Sequence, residues 1–519
     1  MSKFTSIAMI GCGSMGGGMA LLFAEDGLHV NLSDPSEKAM DAVIEKAEKS
    51  GYHGKLKKHK DYDSLCKSLS KPRLLVFSLP HGGVGDKVLE GLMPKLSKGD
   101  IILDCGNEHF ANTERRQNKC KDTGICYIGC GVSGGYQAAR AGPSMCPGGD
   151  ESGLKEVLPL LQKVAAKDKN GKPCVGIIGK GGAGHYVKMV HNGIEHGMMS
   201  AICEAWGLMR KLGLDYEEIG DVLKEWNSSG ELQGTFLVSI GADLSHKREP
   251  GDKSNPDPQQ HPLVISEVLD KVVQDVTGEE GTGVWSNTEA IELHVPAFTL
   301  NVAHALRLAS AYRGDRERAN KMFDGGFPPS ELKDVKDKKA FIEELRQATY
   351  AACLASYIQG MNIIARADQK HKWSIDYSQV WQIWRAGCII QADYISDNIL
   401  APVLKNNPSS EDLNLIFSSV VAKDIKKTFP ALRRIVAKAV ETDQVVPALS
   451  ASLEYFKVST GTDLPTSFYE AELDYFGCHM FDKKGDQDAR VKKPMEGKYH
   501  FEWKPATSQK ETYGKPAGV

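Results

Sequence analysis

No stretch of this 519-residue chain approaches the roughly 18 consecutive apolar residues that a membrane-crossing helix needs. A surplus of positive charge is also missing. Lys+Arg 64 against Asp+Glu 67 leave a net charge of -3, which gives no drive toward nucleic acid or an anionic membrane. The 12 cysteines are scattered singles without paired CxxC spacing, which argues against a disulfide scaffold or zinc module and for a reduced, cytosolic protein. Met1 to Thr5 lead straight into Ser6-Ile7-Ala8-Met9-Ile10, with no basic segment and apolar run ahead of them. Pro516-Ala517-Gly518-Val519 carries no retrieval signal, and a cytoplasmic location is expected.

What is present is ordinary globular material, 41% hydrophobic and 25% charged, long enough for about three domain-sized units. Gly 52 exceeds the usual ~7%, and the excess gathers in loops near the first third. Apolar runs at 7–10, 30–33, 74–79, 101–104, 126–128 and 175–178 read as strands alternating with helical patterns such as 86–98. That alternation predicts a doubly wound parallel sheet. Beyond Gly184 long helical patterns take over, at 185–212, 216–226, 299–312, 338–367, 377–398 and 423–455. The fold class expected is an α/β Rossmann-type domain (1–182), a large all-helical domain for substrate and dimerisation (183–470), and a C-terminal tail (471–519). Leu214-Asp215-Tyr216 with Ile219 recurs at one constant offset as Ile375-Asp376-Tyr377 with Val380, each time after a long helix, which suggests a duplicated helical unit. Residues 247–262 read as a polar, Pro-rich surface loop. From about Lys483 the chain is polar and poorly patterned, a segment expected to order only by packing on something.

Gly11-Cys12-Gly13-Ser14-Met15-Gly16 follows a strand and opens a helix. Glycines so placed allow a tight turn and bring backbone N–H groups to a pyrophosphate at a helix N-terminus. The next strand ends at Asp34, where a carboxylate suits ribose hydroxyls and repels a 2′-phosphate. Asp34-Pro35-Ser36-Glu37 also reads as an N-cap with Pro at the first helical position and Glu at the third. Asp104-Cys105-Gly106-Asn107 closes a strand at the edge where such sheets bind ligands. Three glycine clusters follow, at 130–135, 142–144 and 147–149, and suggest amides turned toward an anion. On the helix after Gly184, Lys188, His191, Asn192 and Glu195 share one face, while Val187, Val190 and Ile194 form a packing face. Gly193 in mid-helix costs about 1 kcal/mol against Ala, which makes sense where something approaches the backbone closely.

The glycine loop with Met15, Gly131-Val132-Ser133-Gly134-Gly135, Gly142-Pro143-Ser144 and the run from Lys188 to Glu195 resemble 6-phosphogluconate dehydrogenase. Gly281-Thr282-Gly283 with Trp285, the run from Trp384 to Ile390, and Asp474-Tyr475-Phe476-Gly477 with His479 extend the resemblance along almost the whole chain. It implies a homodimer into whose partner the tail threads, and a reaction that moves a hydride from C3 of an aldonate to a nicotinamide before CO₂ is lost. Lys188 is then the general base and Glu195 the acid that protonates C1. Asn107, Ser133, Gly134, Gly135, His191, Asn192, His196, Thr282, Arg307 and His479 would hold substrate. Gly11, Gly13, Ser14, Met15, Gly16, Asp34, Ser78, Leu79 and Asn107 would hold the coenzyme. No metal is implied, because the β-keto group itself takes up the electrons.

Departures from that family matter as much as matches. Asp34-Pro35-Ser36 stands where the family has an Asn-Arg-Thr run for a 2′-phosphate, so NAD is expected ahead of NADP. His196, Glu280 and Leu473 stand where it has Tyr, Lys and Arg around the substrate phosphate. A charge-assisted hydrogen bond contributes about 1.5–3 kcal/mol, so two lost cations would weaken the grip on a 6-phosphate by about 10²–10⁴. The substrate expected is 6-phospho-D-gluconate or a closely related aldonate. Three alternatives stay open: a dehydrogenase of a non-phosphorylated sugar acid, a non-catalytic NAD-binding sensor, and a β-hydroxyacid dehydrogenase without decarboxylation.

Overall fold

The computed structural model describes residues 3–251, 257–273, 281–491 and 497–506. It divides into two compact units, Met1–Tyr455 and Phe456–Val519. The boundary expected at 182/183 lies inside the first unit, and the segment 183–470 crosses from the first into the second.

The first unit opens with seven strands and the helices between them, in the order β1 Ser6–Ile10, α1 Ser14–Glu25, β2 His29–Ser33, α2 Glu37–Lys49, β3 Leu56–Lys58, α3 Tyr62–Lys67, β4 Leu74–Phe77, α4 Gly83–Leu92, β5 Ile101–Asp104, α5 Phe110–Lys121, β6 Cys126–Ser133, α6 Gly135–Ala141, β7 Ser144–Gly149 and α7 Glu151–Val164. The sheet order is β3-β2-β1-β4-β5-β6-β7, with β1 to β6 parallel and β7 antiparallel to β6. The strands are apolar on both faces because helices cover both. Ile7, Met9, Leu74, Val76, Ile101 and Leu103 pack against α1, α2 and α7, while Ala8, Ile10, Leu75, Phe77 and Ile102 pack against α3, α4 and α5. The crossover from β3 to β4 reverses the strand order beside β1, and a ligand crevice opens at the carboxyl ends of strands arranged this way.

Three strands differ from expectation, β3 and β7 forming where no apolar run marks them and one expected strand being absent. Residues 175–178 form no strand: Val175 makes one isolated bridge to Met145. Most of the glycine clusters expected at 130–135, 142–144 and 147–149 instead lies within β6 and β7, built into a ladder, while Gly134 and Gly135 line the cleft. The segment 86–98 is shorter as a helix, α4 ending at Leu92 before a 3₁₀ turn at Met93–Lys95.

The helical part follows as α8 Ala183–Lys211, α9 Tyr216–Ser228, α10 Phe236–His246, α11 Thr282–Glu292, α12 Phe298–Ala311, α13 Arg313–Met322, α14 Lys338–His371, α15 Tyr377–Ile383, α16 Ala401–Leu404, α17 Ser419–Glu441 and α18 Pro447–Thr460. No strand follows Gly149 among the described residues. Helix α8 is buried along most of its length, packed against α11, α12, α14, β6 and β7. The recurring motif has a structural counterpart: Asp215 and Asp376 each cap a helix, α9 and α15, after the long helices α8 and α14. Two long patterns break. After α15 the chain turns at Gly387 (φ 68°), whose carbonyl accepts from Ser144 N at the sheet edge at 2.9 Å, and 384–392 is not helical. The segment 423–455 divides at Asp443 (φ 56°), ahead of Pro447. Of the loop 247–262, residues 252–256 lie outside the described residues. Its flanks join at the Arg248–Leu263 bridge, and Arg248 reaches Glu217 at 2.8 Å.

The second unit is organised on Asp474 in α19 (Thr466–Gly477). The fully buried carboxylate accepts from Met480 N (3.0 Å), His500 Nδ1 (2.9 Å), Phe501 N (3.1 Å) and Trp503 Nε1 (2.8 Å). Phe481 and Tyr499 add an antiparallel bridge, so the described part of the segment after Lys483 folds back on its own unit. Burial would raise the Asp474 carboxyl, but these donors hold it below the usual range.

Candidate active site

The coenzyme half is shaped by backbone. Gly11 turns with φ 95°, and a Cβ there would lie 2.1 Å from the Ser78 carbonyl oxygen; one at Gly16 would lie 2.0 Å from that of Gly11. β1, the loop and the end of β4 therefore meet without side chains. Gly13 has open space around it and caps α1 with no side-chain acceptor, which leaves the first-turn amides facing the cleft, as an anion requires. The cleft measures ≈ 870 Å³ and is lined by Gly11, Gly13, Ser14, Met15, Asp34, Ser78 and Leu79 among others. The residues present therefore fit a dinucleotide.

Asp34 is fixed beside that loop. Its Oδ2 accepts from Cys12 N and its Oδ1 from Ser36 N, both at 2.7 Å, short distances typical of charge-assisted bonds. The cap of α2 is Ser36, accepting from Ala39 N. Pro35 thus precedes the helix and Glu37 opens it, which corrects the expected capping pattern and leaves Asp34 to the cleft. Lys60, beyond β3 and outside every motif of the sequence, is the one cation among the described residues lining it.

The other half of the candidate site is shaped by side chains on α8, and this helix sits close to the sheet. A Cβ at Gly131 would lie 2.2 Å from Lys188 Cβ, and one at Gly184 2.3 Å from the carbonyl oxygens of Cys146 and Gly129. Gly193 serves a neighbouring helix, since a Cβ there would lie 2.9 Å from Ser286 Oγ of α11.

Lys188, 7% exposed, donates to Asn192 Oδ1 at 2.6 Å and lies 3.5 Å from Ser133 Oγ. Asn192 Nδ2 donates to Thr282 Oγ1 at 2.8 Å, so Oδ1 is the acceptor for both Lys188 and His191 Nδ1 (3.0 Å). This assigns the His191 proton to Nδ1 and leaves Nε2 to accept from Ser133 Oγ at 3.0 Å. Burial, then the charge of Lys188, push His191 well below its ordinary value, consistent with a neutral ring. Glu195 lies 3.7 Å from His191 Nδ1, its side chain 20% exposed.

A cleft of ≈ 400 Å³ is lined by Asn107, Ser133, Gly134, Gly135, Lys188, Asn192 and Glu195, with Cys105 and His81. It shares Met15, Ser78, Leu79 and Pro80 with the coenzyme half, so the two are continuous. His191 and Thr282 stand behind the lining and hold Ser133 and Asn192. His196 is buried under Gly283, stacked on His304 at 6.0 Å, and neither it nor Arg307 of α12 is in the lining. His479 belongs to the second unit, exposed and edge-on to Phe476 at 6.0 Å. Glu280 lies outside the described residues. His81, outside every motif of the sequence, follows Ser78-Leu79-Pro80 after β4, the position that marks ligand-facing loops in such sheets.

Residues 6–179 match the NAD binding domain of 6-phosphogluconate dehydrogenase, and residues 184–503 its C-terminal domain. A relative from Emericella nidulans described as 6-phosphogluconate dehydrogenase, decarboxylating, is 43% identical over 95% of this chain and 100% of its own. One from Arabidopsis thaliana, a decarboxylating 6-phosphogluconate dehydrogenase 2, is 37% identical over 96% and 97%. The structure of Plasmodium falciparum 6-phosphogluconate dehydrogenase, described with its cofactor NADP+ and its substrate 6-phosphogluconate, is similar at TM-score 0.83 and 31% identity, covering 96% of this chain and 100% of that one. With a Rossmann-like sheet, a large helical part and matches running the length of both, the chain belongs to the 6-phosphogluconate dehydrogenase family.

Proposed function

We propose that this chain catalyses the oxidative decarboxylation of 6-phospho-D-gluconate or a closely related aldonate, with NAD preferred over NADP. One observation carries the reading: Asn107, Ser133, Lys188, Asn192 and Glu195 line a single cleft, continuous through Met15, Ser78 and Leu79 with the glycine-loop cleft. Gly13 and the open first turn of α1 would hold the pyrophosphate, and a bound nicotinamide supplies the two-electron acceptor for the hydride. Lys188 takes the proton of the C3 hydroxyl and, as an ammonium, then polarises the C3 carbonyl while the carboxylate leaves. Asn192, tied back to Thr282, orients the Lys188 amine. Neutral His191 holds Ser133 toward the substrate, and Glu195 returns a proton to C1 of the enediol.

The coenzyme preference rests on Asp34, whose carboxylate is already fixed on two amides and would face a 2′-phosphate as a like charge. Lys60 is the opposing consideration, exposed in the same cleft. A homodimer is part of the same reading, with residues from 471 reaching the partner. The exposed Phe468, Tyr469, Tyr475 and Phe476, which line a groove of ≈ 630 Å³ in the second unit, support it. So is a division at 182/183 and 470/471, with a cytosolic location supported by the scattered cysteines.

Steady-state assays with 6-phosphogluconate, gluconate and further aldonates, each with NAD and NADP, test the proposal. Release of NADH and CO₂ from 6-phosphogluconate or one near relative is expected, with higher kcat/KM for NAD. Efficient turnover with NADP alone would overturn the coenzyme assignment. Binding of sugar acids without reduced coenzyme from any of them would leave a sensor in place of an enzyme.

A further inference from the structure

Two cysteines meet at the cleft. Cys105 follows β5 directly and Cys130 lies within β6. In the parallel register Asp104 pairs with Gly129, so the next step along both strands sets Cys105 beside Cys130. Both side chains point into the core layer that holds Leu103 and Ile128, two residues earlier on each strand. Neighbouring strands run about 4.8 Å apart, within the Cα separation of roughly 4.4–6.8 Å that a disulfide accepts. Cys130 is fully buried; its contact with the Cys105 thiol, then burial, hold it well above the usual thiol value. Cys105 lines the substrate half of the cleft, so a small oxidant entering there meets it first. Cys146, the third thiol nearby, occupies the other face of the sheet, pointing at the carbonyls of Gly131 and Gly184 at 3.2 Å.

We propose that Cys105 and Cys130 are a reversible oxidation site that closes into a disulfide when a hydroperoxide enters the cleft, and that this inactivates the enzyme. The Cys105 sulfur attacks a peroxide oxygen, the O–O bond breaks, and the departing hydroxide takes the thiol proton as water, leaving a sulfenic acid. The Cys130 sulfur then attacks the sulfenic sulfur: the S–S bond forms, the S–O bond breaks, and hydroxide leaves with the Cys130 proton as a second water. Two thiols lose two electrons and two protons, and hydrogen peroxide is reduced to two waters. Bringing the sulfurs to a bond length of about 2.05 Å draws Cys105 toward β6 and carries Gly106 and Asn107 with it. It also strains the strand whose Gly131 backs Lys188. A disulfide formed in a reducing compartment is transient chemistry and not a permanent staple.

The test exposes the full-length enzyme to hydrogen peroxide, maps its peptides without reduction, and follows activity before and after dithiothreitol. The expected result is a Cys105–Cys130 linked peptide, lighter by two hydrogens, with activity down roughly 10²-fold as for a displaced reacting group and restored by dithiothreitol. In Cys130→Ala, Cys105 should pass beyond the sulfenic state, so that inactivation becomes irreversible; Cys130→Ser gives the same readout if the alanine variant folds poorly. The peptide map does not depend on which sugar acid is turned over, which separates this proposal from the substrate assignment. Oxidised wild type without that linkage, with Cys105 joined to Cys146, or with the linkage formed and full activity kept would each overturn it.

Discussion

The two halves of the cleft are made of different material. Around Gly11, Gly13 and Gly16 the shape comes from main chain, through approaches that a single Cβ would block. Beside it, Lys188, His191, Asn192 and Glu195 project from one buried helix, and the polar atoms of the first three are bound in a connected set reaching Ser133 and Thr282. Main-chain architecture supplies generic anion binding with little dependence on which residues fill the remaining positions. A satisfied side-chain network specifies one chemistry and fails when one member is removed. The coenzyme half is therefore expected to tolerate exchange of side chains, and the catalytic half to tolerate almost none.

Replacing the ammonium tests that contrast most severely. Lys188→Met should lower kcat by about 10²–10⁴, the range for a lost general base, while the coenzyme Kd from fluorescence titration stays unchanged. An equal loss of coenzyme binding would show that the halves are not separable. Gly131→Ala comes next: its Cβ would lie 2.2 Å from that of Lys188, so kcat should fall by about 10² through displacement. Overpacking should also cost about 1–3 kcal/mol of stability in a denaturant titration. In the coenzyme half, Asp34→Asn should leave kcat with NAD near wild type yet move the NADP/NAD ratio of kcat/KM by about tenfold, equivalent to 1.4 kcal/mol. No movement in that ratio would shift coenzyme choice to Lys60.

The smallest effect on turnover is expected further along α8. Glu204 accepts from Ser200 Oγ and from the amides of Ala448 and Leu449, and burial pushes its carboxyl from 4.5 up to about 7 despite those donors. The folded protein then holds this proton more tightly than the unfolded chain. The stability it contributes is full below pH 4.5 and lost as pH rises through about 7, a change of about 3 kcal/mol at most. Glu204→Gln should flatten that slope in denaturant titrations between about pH 5 and about pH 8 with kcat unchanged, marking the limit of the catalytic stripe on its helix.

How much of this was legible followed from where the information lies. β1, β2, β4 and β5 were readable because strands covered on both faces are continuous apolar runs. β7 was not: Ser144-Met145-Cys146-Pro147-Gly148-Gly149 has the composition of a turn and is a strand because β6 and α8 need small residues there. Residues 377–398 read as one helix until Gly387 met the sheet edge, a tertiary demand with no local trace. In the cleft, the shared face of Lys188, His191, Asn192 and Glu195 was visible from helical periodicity alone. The partners that fix their protons, Ser133 and Thr282, came only through the resemblance. The facing of Cys105 and Cys130 and the seating of Lys188 on Gly131 depend on register, which a single chain does not display.

That seating carries a mechanical consequence. Because the helix bearing the ammonium rests almost main chain to main chain on β6 and β7, strands of the same sheet whose β1 and β4 ends frame the glycine-loop cleft, the ammonium stands at a fixed crossing relative to that cleft. With that crossing rigid, slowing large-scale motion with a viscous solvent should leave the chemical step untouched.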